Sequence, residues 1–329
     1  MKDRGHNIVV TFRPPEGAHS LFREVLGQGA AITFLKDASA KNREKALTSA
    51  GVMLTWDPAR ELKPEEFGKI DRLRLLQLLS AGADHLPFDK LPRDLIIASN
   101  TGAYAEPMAE HVLALTLALA KNLVSKHRKL LEGEFDQLSP NRMLRGSICG
   151  IIGFGGVGRA TGRLMRAMGV AIQAINTSGA TADPVRFVGT IRDLDRVLST
   201  SDVIVVSLPL KKQMRGIIGR RELSLMKPDA ILINVARGDI IDEKALYEHV
   251  RDNTDFKVGI DAWWFEPFKT GEFCLNYPLL ELPNALGSPH NSAIVEGAML
   301  KGARRAAENV RSYLDGGPLK GLVKREEYE

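Results

Sequence analysis

Residues 146–176 read GSICGIIGFGGVGRATGRLMRAMGVAIQAIN, and the succession of patterns in this stretch decides the fold. Ile148 to Ile152 is an apolar run short enough for a buried strand. Gly153-Phe154-Gly155-Gly156-Val157-Gly158 follows as a G-x-G-x-x-G. A helical segment comes next, with Leu164, Met165 and Met168 on one side and Arg159, Arg163 and Arg166 elsewhere. Gly169 stops it, and Val170 to Ile175 reads as a second strand. Each glycine has its own reason. Gly153 allows the tight strand-to-helix turn, Gly155 lets backbone N–H groups approach a pyrophosphate, and Gly158 lets the helix pack close to the sheet. The helix start adds unpaired donors and partial positive charge. Glycine-rich turns also occur with no ligand, but inside a complete strand–turn–helix–strand unit the pattern points to a dinucleotide site.

The rest of the composition narrows the class. At 329 residues the chain is long enough for two domains, each with its own core. A net charge of +5 is small for that length, and no stretch interleaves Lys and Arg with aromatics, so a nucleic-acid face is not expected. The two cysteines, Cys149 and Cys274, cannot make a disulfide framework, and Cys149 reads as a small buried apolar residue. No apolar run reaches membrane-spanning length and the start does not resemble a signal peptide, so a cytoplasmic protein without membrane contact is expected.

Before the glycine loop, strand-like and helix-like pieces alternate. Asn7 to Phe12, Ala31 to Leu35, Val52 to Thr55, Leu73 to Leu79 and Leu95 to Ala98 read as strands, and Leu21 to Leu26 as part of a helix. That alternation predicts a parallel α/β sheet. Trp56 and the turn Ser80-Ala81-Gly82-Ala83-Asp84 follow two of the strands, where such sheets bind ligands. Read alone, a buried tryptophan and an ordinary Gly-Asp turn are the preferred explanations of the two. Glu106 to about Leu131 predicts one long, very apolar helix, the crossover to the second domain; a dimer element and core packing within one chain both account for it. Beyond the loop, strands are expected at Asp202 to Ser207 (ending in Leu208-Pro209), Ala230 to Asn234, Phe256 to Ile260 and Ala285 to Gly287. A final helix from Ala293 to Tyr313 would return the chain to the first domain.

Three ionisable residues follow strands of the glycine-loop domain: Arg237, Glu266 and His290. Taken singly, they are a surface ion pair, a solvated carboxylate and a loop histidine. Together, on the ligand-binding edge of a dinucleotide-type sheet, they form a candidate site.

The chain resembles the D-isomer-specific 2-hydroxyacid dehydrogenases, which include glycerate, glyoxylate/hydroxypyruvate and phosphoglycerate dehydrogenases. The resemblance rests on Ser80-Ala-Gly-Ala-Asp-His85, Asn100-Thr-Gly with Met108-Ala-Glu110, Gly153 to Gly158, Met226 to Gly238 running on to Asp242-Glu243, Asp261 to Pro267, and Ser288-Pro-His290. It implies two doubly wound parallel-sheet α/β domains. A Rossmann coenzyme domain (101–293) would be inserted into a discontinuous flavodoxin-like substrate domain (1–100 plus 294–329). It also implies an NAD(P)-dependent oxidoreductase that reduces a small 2-oxo acid to the D-2-hydroxy acid, glyoxylate/hydroxypyruvate reductase-like, and a homodimer. No metal is implied.

Residue by residue, His290 matches the family's general acid/base, a role suited to imidazole near neutral pH. Glu266 matches its carboxylate partner. Arg237 matches the substrate-binding arginine, whose fork suits a planar carboxylate and can polarise the adjacent carbonyl. The N–H groups of Ala81 and Gly82 correspond to a second carboxylate clamp, and Trp56 to a position bordering the substrate side chain. The coenzyme set implied is Met108, Gly153, Phe154, Gly155, Gly156, Val157, Gly158, Asn176, Thr177, Ser178, Leu208, Pro209, Ala236, Asp261, His290 and Ser292, with Asp261 on the nicotinamide carboxamide.

Departures from the pattern sharpen these expectations. Many relatives end the second strand with an Asp that binds the adenine ribose; here Asn176-Thr177-Ser178 stands there, which removes repulsion against a 2′-phosphate and favours NADP or dual use. Asn291-Ser292 after the histidine is nearer the pattern of formate dehydrogenases, yet Glu266 stands where those enzymes carry Gln. A formate- or phosphite-type dehydrogenase and a dinucleotide-binding, corepressor-like interaction protein are the rival readings. The chain stops soon after the return helix, so allosteric serine control through a C-terminal regulatory domain is not expected.

Overall fold

A computed structural model describes residues 7–27 and 29–329. The chain divides into two compact units, one running up to Tyr104 and resuming from Val295 to Glu329, the other spanning Ala105–Ile294.

The first unit holds a five-stranded sheet of β1 (Asn7–Val10), β2 (Ala31–Phe34), β3 (Ala50–Thr55), β4 (Leu75–Leu78) and β5 (Ile96–Ala98) in the order β2-β1-β3-β4-β5. Every pairing is parallel, with Ile8 level with Ile32 on one side and Val52 on the other. β4 is buried along its whole length, the pattern of a parallel strand covered on both faces. One cover is the helix Ala298–Leu314, whose Ala303, Ala306, Ala307 and Val310 enter the same core as Ile8, Val10 and Phe22.

The second unit holds seven parallel strands: β6 (Ile148–Ile152), β7 (Ala171–Ile175), β8 (Phe187–Gly189), β9 (Val203–Val206), β10 (Ile231–Asn234), β11 (Lys257–Ile260) and β12 (Ala285–Gly287). Their order is β12-β11-β10-β9-β6-β7-β8, so the winding reverses between β6 and β9. Ligands of doubly wound sheets bind beyond the carboxyl ends at such a reversal, and the glycine loop leaves β6 there. Cys149 in β6 is fully buried, and burial pushes its thiol up to about 12, as an inert core residue requires.

Four elements differ from the sequence expectation. The long apolar helix is two helices, Ala105–Ala120 and Leu123–Leu131. Asn122 between them has φ 53°, a left-handed conformation that Asn tolerates better than most residues. The Lys257 ammonium donates to the Leu119 carbonyl and to Asn122 Oδ1, placing a cation on the exposed carbonyls of the first helix end. The last helix begins at Ala298 rather than Ala293, after Gly297 at φ 73°. In the helix Gly156–Ala167, Met165 is buried, whereas Leu164 and Met168 are partly exposed. Its close packing comes from small residues, with Ala160 against Ala105 and Ala109. The strand β8 was not anticipated at all.

Candidate active site

The glycine loop is shaped by what a Cβ would strike. Gly153 has φ 101°, and a Cβ there would lie 2.5 Å from the Leu208 nitrogen. One on Gly158 would run into the Gly153 carbonyl oxygen. Gly155, by contrast, opens on free space. The Gly153 and Phe154 amides donate to the Ile175 carbonyl, at 3.0 and 2.8 Å. The amides of Gly155, Gly156 and Val157 donate to no group among the described residues, which leaves a cluster of donors at a helix N-terminus. This cradle fits a pyrophosphate.

Opposite substitutions here should have opposite signatures. Gly153→Ala is expected to cost about 1–3 kcal/mol or more of stability from strain and overpacking, read as a lower denaturant midpoint. Gly155→Ala should leave that midpoint nearly unchanged while weakening dinucleotide binding measured by titration calorimetry.

At the end of β7 the Asn176 side chain is spent on its own loop. Oδ1 accepts from the Ser178 amide at 3.1 Å and the Gly179 amide at 2.7 Å, and Nδ2 donates to the Ala180 carbonyl. Thr177 and Ser178 are exposed. Leu208 and Pro209 follow β9, where Ser207 Oγ donates to the Gly153 carbonyl at 2.9 Å. Met108 lies in the first turn of the helix Ala105–Ala120 and is partly buried.

The three ionisable residues stand on loops beyond β10, β11 and β12. His290 Nδ1 lies 2.7 Å from Glu266 Oε1, and the Glu266 side chain is only 4% exposed. The same oxygen accepts from the Trp263 amide at 2.8 Å. With Nδ1 committed, Nε2 is the nitrogen left for proton transfer. Phe268 packs edge-on against the imidazole, 5.3 Å between ring centres. Arg237 is partly buried at the turn after β10, and its Nη1 donates to the Ala236 carbonyl. Asn234 staples this turn: Oδ1 accepts from the Ala236 amide at 3.1 Å and Nδ2 donates to the Arg237 carbonyl at 2.9 Å.

Asp261 is fully buried and accepts from Ser288 Oγ at 2.7 Å, the Asn291 amide at 3.1 Å and the Ser292 amide at 3.2 Å. Its carboxylate therefore clasps the loop on both sides of His290, whose φ of 51° is left-handed. His111 adds a contact from the helix Ala105–Ala120, 2.8 Å from Ser288 Oγ. Burial would raise the Asp261 pKa, but the bonds from Ser292 and Ser288 and the neighbouring His290 and His111 outweigh it and leave it lowered. A lowered folded-state pKa contributes stability that is present above the ordinary carboxylate range and lost as pH falls through the folded value. Asp261→Asn should accordingly cost about 1–3 kcal/mol at neutral pH and flatten the fall of Tm on acidification.

In the first unit, Trp56 follows β3 and Ala81-Gly82 follow β4. The Trp56 carbonyl lies 2.8 Å from His85 Nε2, and its amide is 3.3 Å from the Glu61 carboxylate. Its ring stacks on Tyr104, with 6.2 Å between centres. The Ala81 and Gly82 amides donate to no group among the described residues. His111, Ser288 and the Trp263 amide were not legible as site residues, because each acts on a partner distant in the chain or through its backbone. Asn234 was missed although its bonds to Ala236 and Arg237 are local, because an Asn closing a turn has no spacing signature of its own.

The model of the D-isomer specific 2-hydroxyacid dehydrogenase NAD binding domain matches residues 113–292. This chain belongs to the D-isomer specific 2-hydroxyacid dehydrogenase family. It is 34% identical to a hydroxypyruvate reductase of Thermotoga maritima, over 69% of this chain and 72% of that one. It is 30% identical to the D-3-phosphoglycerate dehydrogenase of Methanocaldococcus jannaschii over 94% of its own length, but spans only 57% of that relative. Among solved structures, a family protein from Aeromonas salmonicida subsp. salmonicida A449 shares the fold with a TM-score of 0.80 at 23% identity, covering 97% of this chain and 99% of that one. Family members are NAD(P)-dependent oxidoreductases. Among the described residues no cluster of His, Cys, Asp or Glu could hold a metal, and no helix is long and apolar enough to cross a membrane.

Proposed function

We propose that this dehydrogenase reduces a small 2-oxo acid, glyoxylate or hydroxypyruvate in the first instance, to the D-2-hydroxy acid. The observation that carries the reading is the His290–Glu266 pair, an imidazole locked by a buried carboxylate at 2.7 Å and thereby poised at its other nitrogen. The nicotinamide, when bound, supplies the hydride. His290 then gives its proton to the oxygen that gains charge as the carbonyl is reduced, and Glu266 keeps the ring aligned while it does so. Arg237 grips the substrate carboxylate and polarises the carbonyl beside it. Ala81 and Gly82 offer two further amides to the carboxylate, and Trp56 borders the substrate side chain. On this assignment the unit Ala105–Ile294 is the coenzyme domain and the discontinuous unit the substrate domain.

The glycine-loop amides hold the pyrophosphate. Met108, Ala236 and Ser292 border the nicotinamide, as does Asp261, whose carboxylate keeps one acceptor site for the carboxamide beside the three bonds it accepts. NADP is the favoured coenzyme: no carboxylate occupies the Asn176-Thr177-Ser178 turn, and its two hydroxyl residues are exposed. A homodimer is supported by the apolar side chains left exposed between Leu123 and Met143, among them Leu131, Phe135 and Leu138; light scattering checks it.

A panel of 2-oxo acids assayed with NADH and NADPH tests the whole reading. Rapid turnover of glyoxylate or hydroxypyruvate supports it, and no turnover of any 2-oxo acid sinks it. A large kcat/KM advantage for NADH would end the coenzyme preference alone.

A further inference from the structure

Two tryptophans that no step above employs connect the three loops of the site. Trp263 and Trp264 are 4% and 7% exposed, and a buried indole must find an acceptor for its N–H. Trp263 Nε1 donates to the Ser288 carbonyl at 2.8 Å, two residues before His290. Its ring fills the space where a Cβ on Gly287 would sit, at 2.6 Å, and its amide shares Glu266 Oε1 with the imidazole. Trp264 turns the other way: its Nε1 donates to the Ile241 carbonyl at 2.8 Å, at the far end of the turn that begins with Arg237. Gly238, next to Arg237, lies against the peptide joining the two tryptophans so closely that a Cβ there would collide with it. One dipeptide therefore touches the arginine turn and the histidine loop through separate, directional bonds.

We propose that Trp263 and Trp264 are positioning residues that fix the two reacting side chains, Trp263 acting through His290 and Trp264 through Arg237. The inference rests on the reductase reading. Displacing a reacting group by a fraction of an ångström costs rate, whereas core packing alone would cost only stability. Phenylalanine keeps most of the apolar bulk and deletes the N–H, so each carbonyl loses its tether while the core stays filled.

Double-mutant cycles separate the two roles. Trp263→Phe is expected to lower kcat about tenfold in the wild-type background, with KM for the reduced nicotinamide unchanged. In a His290→Ala background it should lower kcat less than about twofold, because the group it positions is gone. Trp264→Phe should raise KM for the 2-oxo acid about tenfold and have less than about a twofold effect on an Arg237→Ala background. Should either variant fail to fold, 3-benzothienylalanine at the same position, which keeps the bicyclic ring without the N–H, gives the same readout. Equal losses in both backgrounds, or wild-type kinetics with only a lowered Tm, overturn the inference. A wild-type rate for His290→Ala itself sinks the reductase reading and not merely this extension of it.

Discussion

Replacing His290 with alanine is expected to lower kcat for 2-oxo acid reduction by roughly a hundredfold or more, the scale on which a general acid contributes. The loss should fall on kcat and kcat/KM together, since the proton is needed only as the carbonyl oxygen gains charge. The loop should stay folded, at some cost in stability because the buried Glu266 carboxylate then keeps only the Trp263 amide among the described residues. The loop is held by Asp261 through the Ser288 hydroxyl and the Asn291 and Ser292 amides, and by Trp263 through the Ser288 carbonyl, none of which uses the imidazole. The left-handed backbone at φ 51° adds a control. Glycine adopts it without penalty, so His290→Gly should be at least as stable as His290→Ala and equally slow. Steady-state kinetics beside a denaturant titration reads both; an alanine variant with wild-type kcat excludes the imidazole as proton donor.

Arg237→Ala should raise KM for the 2-oxo acid and lower kcat at once, because the guanidinium serves both substrate binding and the polarised carbonyl. Losing a charge-assisted, two-pronged contact is worth about 2–4 kcal/mol, or about thirty- to a thousandfold in kcat/KM. KM for the reduced nicotinamide should hardly move. Lysine is the informative second variant: it restores the charge but not the fork, so Arg237→Lys should recover part of KM and little of kcat. The turn that carries the residue is closed by Asn234, whose amide bonds the Ala236 nitrogen and the Arg237 carbonyl, so truncating the side chain leaves the backbone in place. A variant with unchanged KM and kcat would remove Arg237 from the site.

The parallel architecture was legible because parallel strands buried on both faces are nearly continuous apolar runs: Ile148 to Ile152 and the core of Asp202 to Ser207 stand out from the polar turns around them. The glycine loop was legible because its spacing is a local steric requirement. The helix break at Asn122 was not. The apolar run ends at Ala120 and Lys121-Asn122 follows, but a Lys-Asn pair is also tolerated inside a helix. What fixes the break is the ammonium of Lys257, 135 residues away, on the Leu119 carbonyl and Asn122 Oδ1.

The sequence by itself determined that a dinucleotide-type sheet is present, which turn presents open amides, and that Arg237, Glu266 and His290 each follow a strand on its carboxyl edge. These properties depend on residues within one or two turns of each other. Tertiary structure alone decided how the three are held: Asp261 clasping the histidine loop, His111 reaching Ser288 across 177 residues, and two indoles tethering loops on either side. Those bonds join segments that approach only after the sheet has assembled, and a hydrogen bond between distant loops leaves no periodicity in the chain for a reader to find.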